Sequence, residues 1–178
     1  MGYTHYYSHD KDLNQETWNE FIKDCKTLYK NMPDHSESSG AYHADDPLIL
    51  TGDALCKSPK FTKDLVYFNG GDTGVRVKKG KYWEEAYPDG TTKEYPELSH
   101  ETFILKRKKC NEFCKTARKP YDLMVQACLI LFLAHFPDDA QVSSDGDSDD
   151  WYEATEFVKT HIQSKKVAAL LLTDKLDF

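Results

Sequence analysis

An α+β (or α/β) sandwich in a single domain, residues 1–178, is the fold class this chain predicts: a mixed or mostly antiparallel sheet packed against a buried central helix, with flanking N- and C-terminal helices. Three observations carry it. Residues 123–136 are apolar nearly all round, the pattern of a helix covered on every side. β-prone runs bounded by turn residues, 64–71 and 102–105, come before it. Towards each end lies a segment whose apolar residues recur at helical spacing.

Element by element, the opening "GYTHYYSH" reads as extended chain, its alternation setting Tyr3, His5 and Tyr7 on one face and Thr4 and Tyr6 on the other. Trp18, Phe21, Ile22, Cys25, Leu28 and Tyr29 then mark an amphipathic helix, with Asn14 as its cap and Pro33 beyond its end. Residues 34–59 form a long loop rich in Ser, Gly, Pro, Asp and His, with one apolar knot at Leu48, Ile49 and Leu50; such a loop is a lid or is loosely ordered. The run 64–71 is a strand, and 75–95 form hairpin insertions that turn at Lys79-Gly80 and at Pro88-Asp89-Gly90. A strand at 102–105 leads into the basic run 106–109. The central helix starts near Lys119, because Pro120 suits a first helical position and Asp122 in the first turn suits the helix dipole. Residues 141–144 are a brief strand, Asp145-Gly146 a turn, and one last helix carries Trp151, Phe157, Val158, Ile162 and Val167, with Leu170, Leu171 and Leu172 docking the end.

Composition narrows the function classes. A net charge of −7 over 178 residues argues against general nucleic-acid or membrane-surface binding, which needs an excess of Lys and Arg on one face. The apolar run 123–136 is too short for a hydrocarbon layer of about 30 Å. "MGYTHYY" has neither a basic region nor an apolar stretch, so no signal peptide is expected and the protein stays in the cytoplasm. Five cysteines in no secreted-domain spacing read as reduced thiols, and Cys110 and Cys114 lack the partners of a zinc site. Neither metal nor cofactor is expected.

Charge is segregated along the chain. Residues 104–119 hold seven Lys or Arg against one Glu, whereas 138–156 hold eight acids and no base. In "FCKTARKPYD", residues 113–122, the cations Lys115, Arg118 and Lys119 crowd the entry of the buried helix with Thr116 and Tyr121. Cations oppose the dipole there unless an anion compensates them, so a phosphate or carboxylate is the expected guest. The bland alternative is a solvated basic loop paired with the acidic run. In "SSDGDSDDW", Asp145, Asp147 and Asp149 hold the first, third and fifth places of a calcium loop, but the sixth is Asp150 instead of glycine, and calcium is set aside. Asp149 or Asp150 is expected to cap the last helix. Ser143, Ser144 and Asp145 leave a strand end where ligands are met, and Asn69 and His100 lie at other strand ends. Tyr3 or Tyr6 suits stacking on a base, and His5 suits acid or base chemistry near neutral pH. No Gly-x-Ser-x-Gly elbow or His-Glu-x-x-His motif is present.

The blocks Gly2–Tyr6, Phe68–Gly70, Glu101–Phe103, Phe113–Asp122, Ser143–Gly146 and Asp150-Trp151 together make the chain resemble a widespread, largely uncharacterised family of small phage and bacterial proteins. The resemblance implies a phage or bacterial origin, and for a phage protein the cytoplasm of the bacterial host. It groups these residues without assigning an activity.

Pooled in one pocket, the motif residues suit a small phosphorylated, nucleotide-like ligand. Lys115, Arg118 and Lys119 would hold phosphate, Tyr3 or Tyr6 would stack, and Ser144 or Asp145 would reach ribose. A phage origin implies sequestration of a host defence signal, such as a cyclic nucleotide or an ADP-ribose derivative. The alternatives are an enzyme acting on such a ligand, with His5 or Asp145 as acid or base, and an inhibitor that engages a host factor through its acidic face. A homo-oligomer is left open.

Overall fold

A computed structural model of the chain describes residues 2–37, 43–52, 58–71, 75–79, 82–86, 92–93, 98–176 and 178. In chain order its elements are β1 (Thr4–His9), α1 (Gln15–Lys30), β2 (Ile49–Thr51), β3 (Lys60–Phe61), β4 (Leu65–Gly71), β5 (Val75–Lys79), β6 (Tyr82–Ala86), β7 (Thr92–Lys93), β8 (Phe103–Lys106), β9 (Cys110–Lys115), α2 (Asp122–His135), β10 (Gln141–Ser144), α3 (Tyr152–His161) and α4 (Lys165–Leu170). The fold is α+β, and every strand pairing among the described residues is antiparallel.

Helix α2 is the centre. Each of its residues is buried, because Leu, Met, Ala and Phe occupy all sides and leave no polar stripe for water. α1, α3 and α4 pack against it, and one continuous apolar cluster joins them to the strands. Full burial of each Leu or Phe is worth roughly 1.5–3 kcal/mol, so this helix and its coat supply most of the fold's hydrophobic drive. α1 buries Trp18, Phe21, Ile22, Cys25 and Leu28 at helical spacing, and the Asn14 side chain caps it by accepting from the Thr17 N–H at 3.0 Å. Trp18 Nε1 donates to the Thr62 carbonyl at 3.0 Å, fixing α1 against the turn between β3 and β4.

One sheet has the order β10-β1-β9, with β1 in the middle. Its register sets His5 opposite Cys114 and Ser144, and Tyr6 opposite Phe113 and Ser143. In a second sheet β4 pairs with β2, β3 and β8; β5, β6 and β7 form a third. The chain passes from the second sheet to the first through residues 107–109. Tyr7 bridges the two, its hydroxyl donating to the Ile104 carbonyl at 3.1 Å.

Three local expectations change. α2 begins at Asp122, not near Lys119, because Ala117 and Arg118 adopt left-handed backbone (φ 52° and 57°) and tight turns close from Lys119 N–H to Thr116 and from Asp122 N–H to Lys119. The single last helix is two: Ile162 is extended, and the Ser164 hydroxyl accepts from the Val167 N–H at 3.2 Å to start α4. The stretch after the basic run is a strand, β9, whose Asn, Glu and Lys conceal an alternation in which Cys110 and Cys114 face inward. Within the 34–59 loop, the apolar knot supplies β2. The expected turns at Gly80 and at 88–90 lie outside the described residues.

Phe132, fully buried against Phe21, Phe136 and the His9 ring, tests the centre. Phe132→Ala is expected to cost about 3–5 kcal/mol, read as a lower urea midpoint.

Candidate functional site

The two faces of the β10-β1-β9 sheet carry different chemistry. On the face towards α2, His5 is completely buried between Tyr3 and Trp151, both edge-on at ring separations of 5.0 and 5.2 Å. Its Nε2 donates to Asp122 Oδ1 at 2.7 Å, and the Thr116 hydroxyl donates to the same oxygen at 2.6 Å. In the neutral ring, Nε2–H aimed at Asp122 leaves Nδ1 as the acceptor, and the Ser144 hydroxyl donates to it at 3.0 Å. Ser144 Oγ accepts in turn from the Gly146 N–H at 3.0 Å. Thr116, Asp122, His5 and Ser144 thus form one relay from the start of α2 to the edge strand β10.

Arg118 closes this side. Its guanidinium lies over the Tyr3 ring, 4.1 Å from the centroid, and grips Asp150 with two N–H groups, the outer one at 3.2 Å. The left-handed backbone at Ala117 and Arg118 turns the side chain back over Tyr3, and the Tyr3 carbonyl accepts from Thr116 and Ala117 N–H at 3.0 and 3.2 Å. Gln126 donates to the Tyr3 hydroxyl at 3.1 Å and to the Asp150 carbonyl at 3.2 Å. Burial first, then the Asp122 and Asp150 carboxylates, drive the Tyr3 hydroxyl pKa far up, so it stays protonated. A Cβ at Gly146 would collide with the Tyr3 hydroxyl and lie 2.8 Å from Asp150 Oδ2, so only glycine fits there.

The opposite face is open. Tyr6 is 47% and Phe113 59% exposed, and their rings sit 6.3 Å apart across the central strand pair. Lys115 stands one step along β9, opposite Thr4, with its side chain laid across Gly2, where a Cβ would be 2.9 Å from Nζ. Ser143 is exposed beside Tyr6 on β10. Asp145, also exposed, spends one oxygen on the Thr4 N–H at 3.0 Å.

The residues the sequence gathers into one pocket therefore divide. Tyr3, His5, Thr116, Arg118 and Ser144 meet on the inner side, while Tyr6, Lys115, Ser143 and Asp145 border the outer one. Lys119 is half-buried at the entry to α2. Tyr121 is fully buried and donates to the Glu101 carbonyl at 2.7 Å. Asn69 is buried among the His100 backbone, Thr102 and Gly70, closing the loop before β8. Asp150, expected as a helix cap, holds Arg118 instead, and Asp147 is the turn acid that accepts from Asp149 and Asp150 N–H. The parts that Phe113, Asp122, Asp150 and Gln126 play in this site escape the sequence reading. The alternation of Cys110, Phe113 and Cys114 could have revealed Phe113; nothing local marks Asp122 as the partner of a histidine 117 positions away.

Comparison with known proteins finds no matching family model, no similar curated protein and no solved structure that matches.

The Arg118 hydrogen bonds hold the Asp150 carboxyl below the usual carboxylate range. A depressed carboxyl stabilises fully above its ordinary pKa of about 3.9 and loses that contribution as pH falls through the lowered value. Asp150→Asn is therefore expected to lower stability by about 1 kcal/mol at neutral pH, and the gap to wild type should close in acid. Thermal melts across the acid range check this.

Proposed function

We propose that the open face of the β10-β1-β9 sheet binds a small phosphorylated, nucleotide-like ligand. One observation carries the reading: two aromatic rings, Tyr6 and Phe113, stand paired and exposed at the centre of a sheet face, with the ammonium-bearing Lys115 next along the strand. A flat aromatic surface beside a cation is what a base and its phosphate require, and stacking on such rings is worth roughly 1–3 kcal/mol per base. Lys115 meets the phosphate. Ser143 and the free oxygen of Asp145 are the polar groups within reach of a sugar. Tyr3 and Ser144 have inward partners, and Arg118 is committed to Asp150, so they support this face from behind. Capture without turnover fits the sequestration expected if the protein is of phage origin.

A panel of nucleotides, cyclic dinucleotides and ADP-ribose, screened by thermal shift, tests the proposal; a ligand at a hundred times its Kd adds about 2.7 kcal/mol. Tyr6→Ala and Phe113→Ala should each weaken binding roughly 5- to 150-fold, the equivalent of one lost stacking contact, without moving the unliganded melting temperature by more than a degree or two. A panel without a single stabilising ligand, or one whose hits ignore both substitutions, rejects it.

The relay behind the face favours a second reading, an enzyme. Ser144 Oγ offers its proton to an imidazole that is anchored on a buried carboxylate, the arrangement that activates a serine nucleophile. In that chemistry Oγ bonds to an acyl or phosphoryl centre, His5 Nδ1 takes the proton, and the departing oxygen carries it away. A fluorophosphonate should then add covalently to the folded protein and fail to add to Ser144→Ala, as intact mass would report. An unmodified wild type leaves the relay a structural tie.

A further inference from the structure

The lysines of α1 gather on one side. Glu20 reaches Lys166 and Asp24 Oδ2 accepts from His135 Nε2 at 2.8 Å, so two of the helix's acids are occupied by neighbours from α4 and α2. Lys23, Lys26 and Lys30, spaced three, four and seven apart, share a different flank, and Lys63 faces them from the turn after β3. Between them runs a groove of about 530 Å³ whose lining contains no acid. Ile22 and Phe61, both buried, form its floor. None of the four ammonium groups pairs with a carboxylate among the described residues.

We infer that this groove is a binding site for a small ligand carrying a chain of two or more phosphates. Four positive charges held round one depression repel each other, and in a protein of net charge −7 nothing in the lining offsets them. Their number exceeds what a single carboxylate or sulfate needs. Lysines without arginine offer mobile point charges instead of a planar fork, which suits a flexible oligophosphate better than a carboxylate. The volume lies in the small-ligand range of about 300–1,000 Å³, and Lys23 to Lys30 spans about 10 Å of helix, enough for successive phosphates. The site shares no residue with the Tyr6–Phe113 face and asks for no base.

Sodium tripolyphosphate, which has phosphates but no ring to stack, is the probe. Titrated at low salt into isotopically labelled protein, it should give saturable amide shifts centred on residues 22–30 and 61–63, with an affinity that falls as salt rises. Each of Lys23→Gln, Lys26→Gln and Lys30→Gln should weaken it about fivefold, the loss expected for one exposed charge pair. These positions are exposed and helix-tolerant, so circular dichroism should find the variants folded. Tyr6→Ala should leave the titration unchanged, which separates this site from the stacking face. Shifts spread evenly over all surface lysines, no saturation at millimolar probe, or binding only to a single-stranded oligonucleotide would overturn the inference.

Discussion

The hydrogen bond from His5 to Asp122 fastens the first strand to the first turn of the helix around which everything else is packed. Asp122 is the one carboxylate at the start of α2, and two donors, an imidazole and the Thr116 hydroxyl, converge on a single oxygen. A buried carboxylate with both donors in place is tolerable, whereas one stripped of them is expensive. Neighbouring features follow from this requirement. The chain between β9 and α2 must bring Thr116 inward, and the left-handed pair Ala117 and Arg118 is how it does so within three residues. Ser144 must present its hydroxyl to the other imidazole nitrogen, which fixes the register of β10 on β1.

With His5, Asp122 and Ser144 paired on its inner side, the sheet gains a second face free for other work. Period-two alternation turns every other side chain outward, so an exact inner network and an uncovered aromatic surface are built from the same three strands. Arg118 stands at their common border, stacked on Tyr3 and held by Asp150. Basic residues that look like one cluster in the sequence thus take separate tasks: Arg118 clamps the interior, and Lys115 borders the open surface.

Elements with strong local signals were legible in the chain. The apolar run of α2, the capped amphipathic α1 and the β-prone runs at β4 and β8 follow from periodicity and punctuation alone. β9 was hidden because its polar residues have low strand preference and only pairing with β1 makes it a strand. The start of α2 was misplaced because Pro120 signals a first helical turn, while a backbone bend two residues earlier delays it. Charge and hydroxyl content single out the candidate residues in the sequence, but their division between two faces depends on strand register. Register here is set by contacts between residues more than a hundred positions apart, and no window of sequence contains it.

Those separations also bear on how the protein is made. β1 is the middle strand of its sheet, yet β9, Asp122 and β10 follow it in the chain by more than a hundred residues. Until those are made, two aromatic rings and two imidazoles due to be buried have nowhere to go, and closing so long a loop carries its entropy cost before any contact repays it. The growing chain therefore carries β1 as an unpaired, aromatic strand while the intervening residues are made, which marks it as the segment a chaperone would hold.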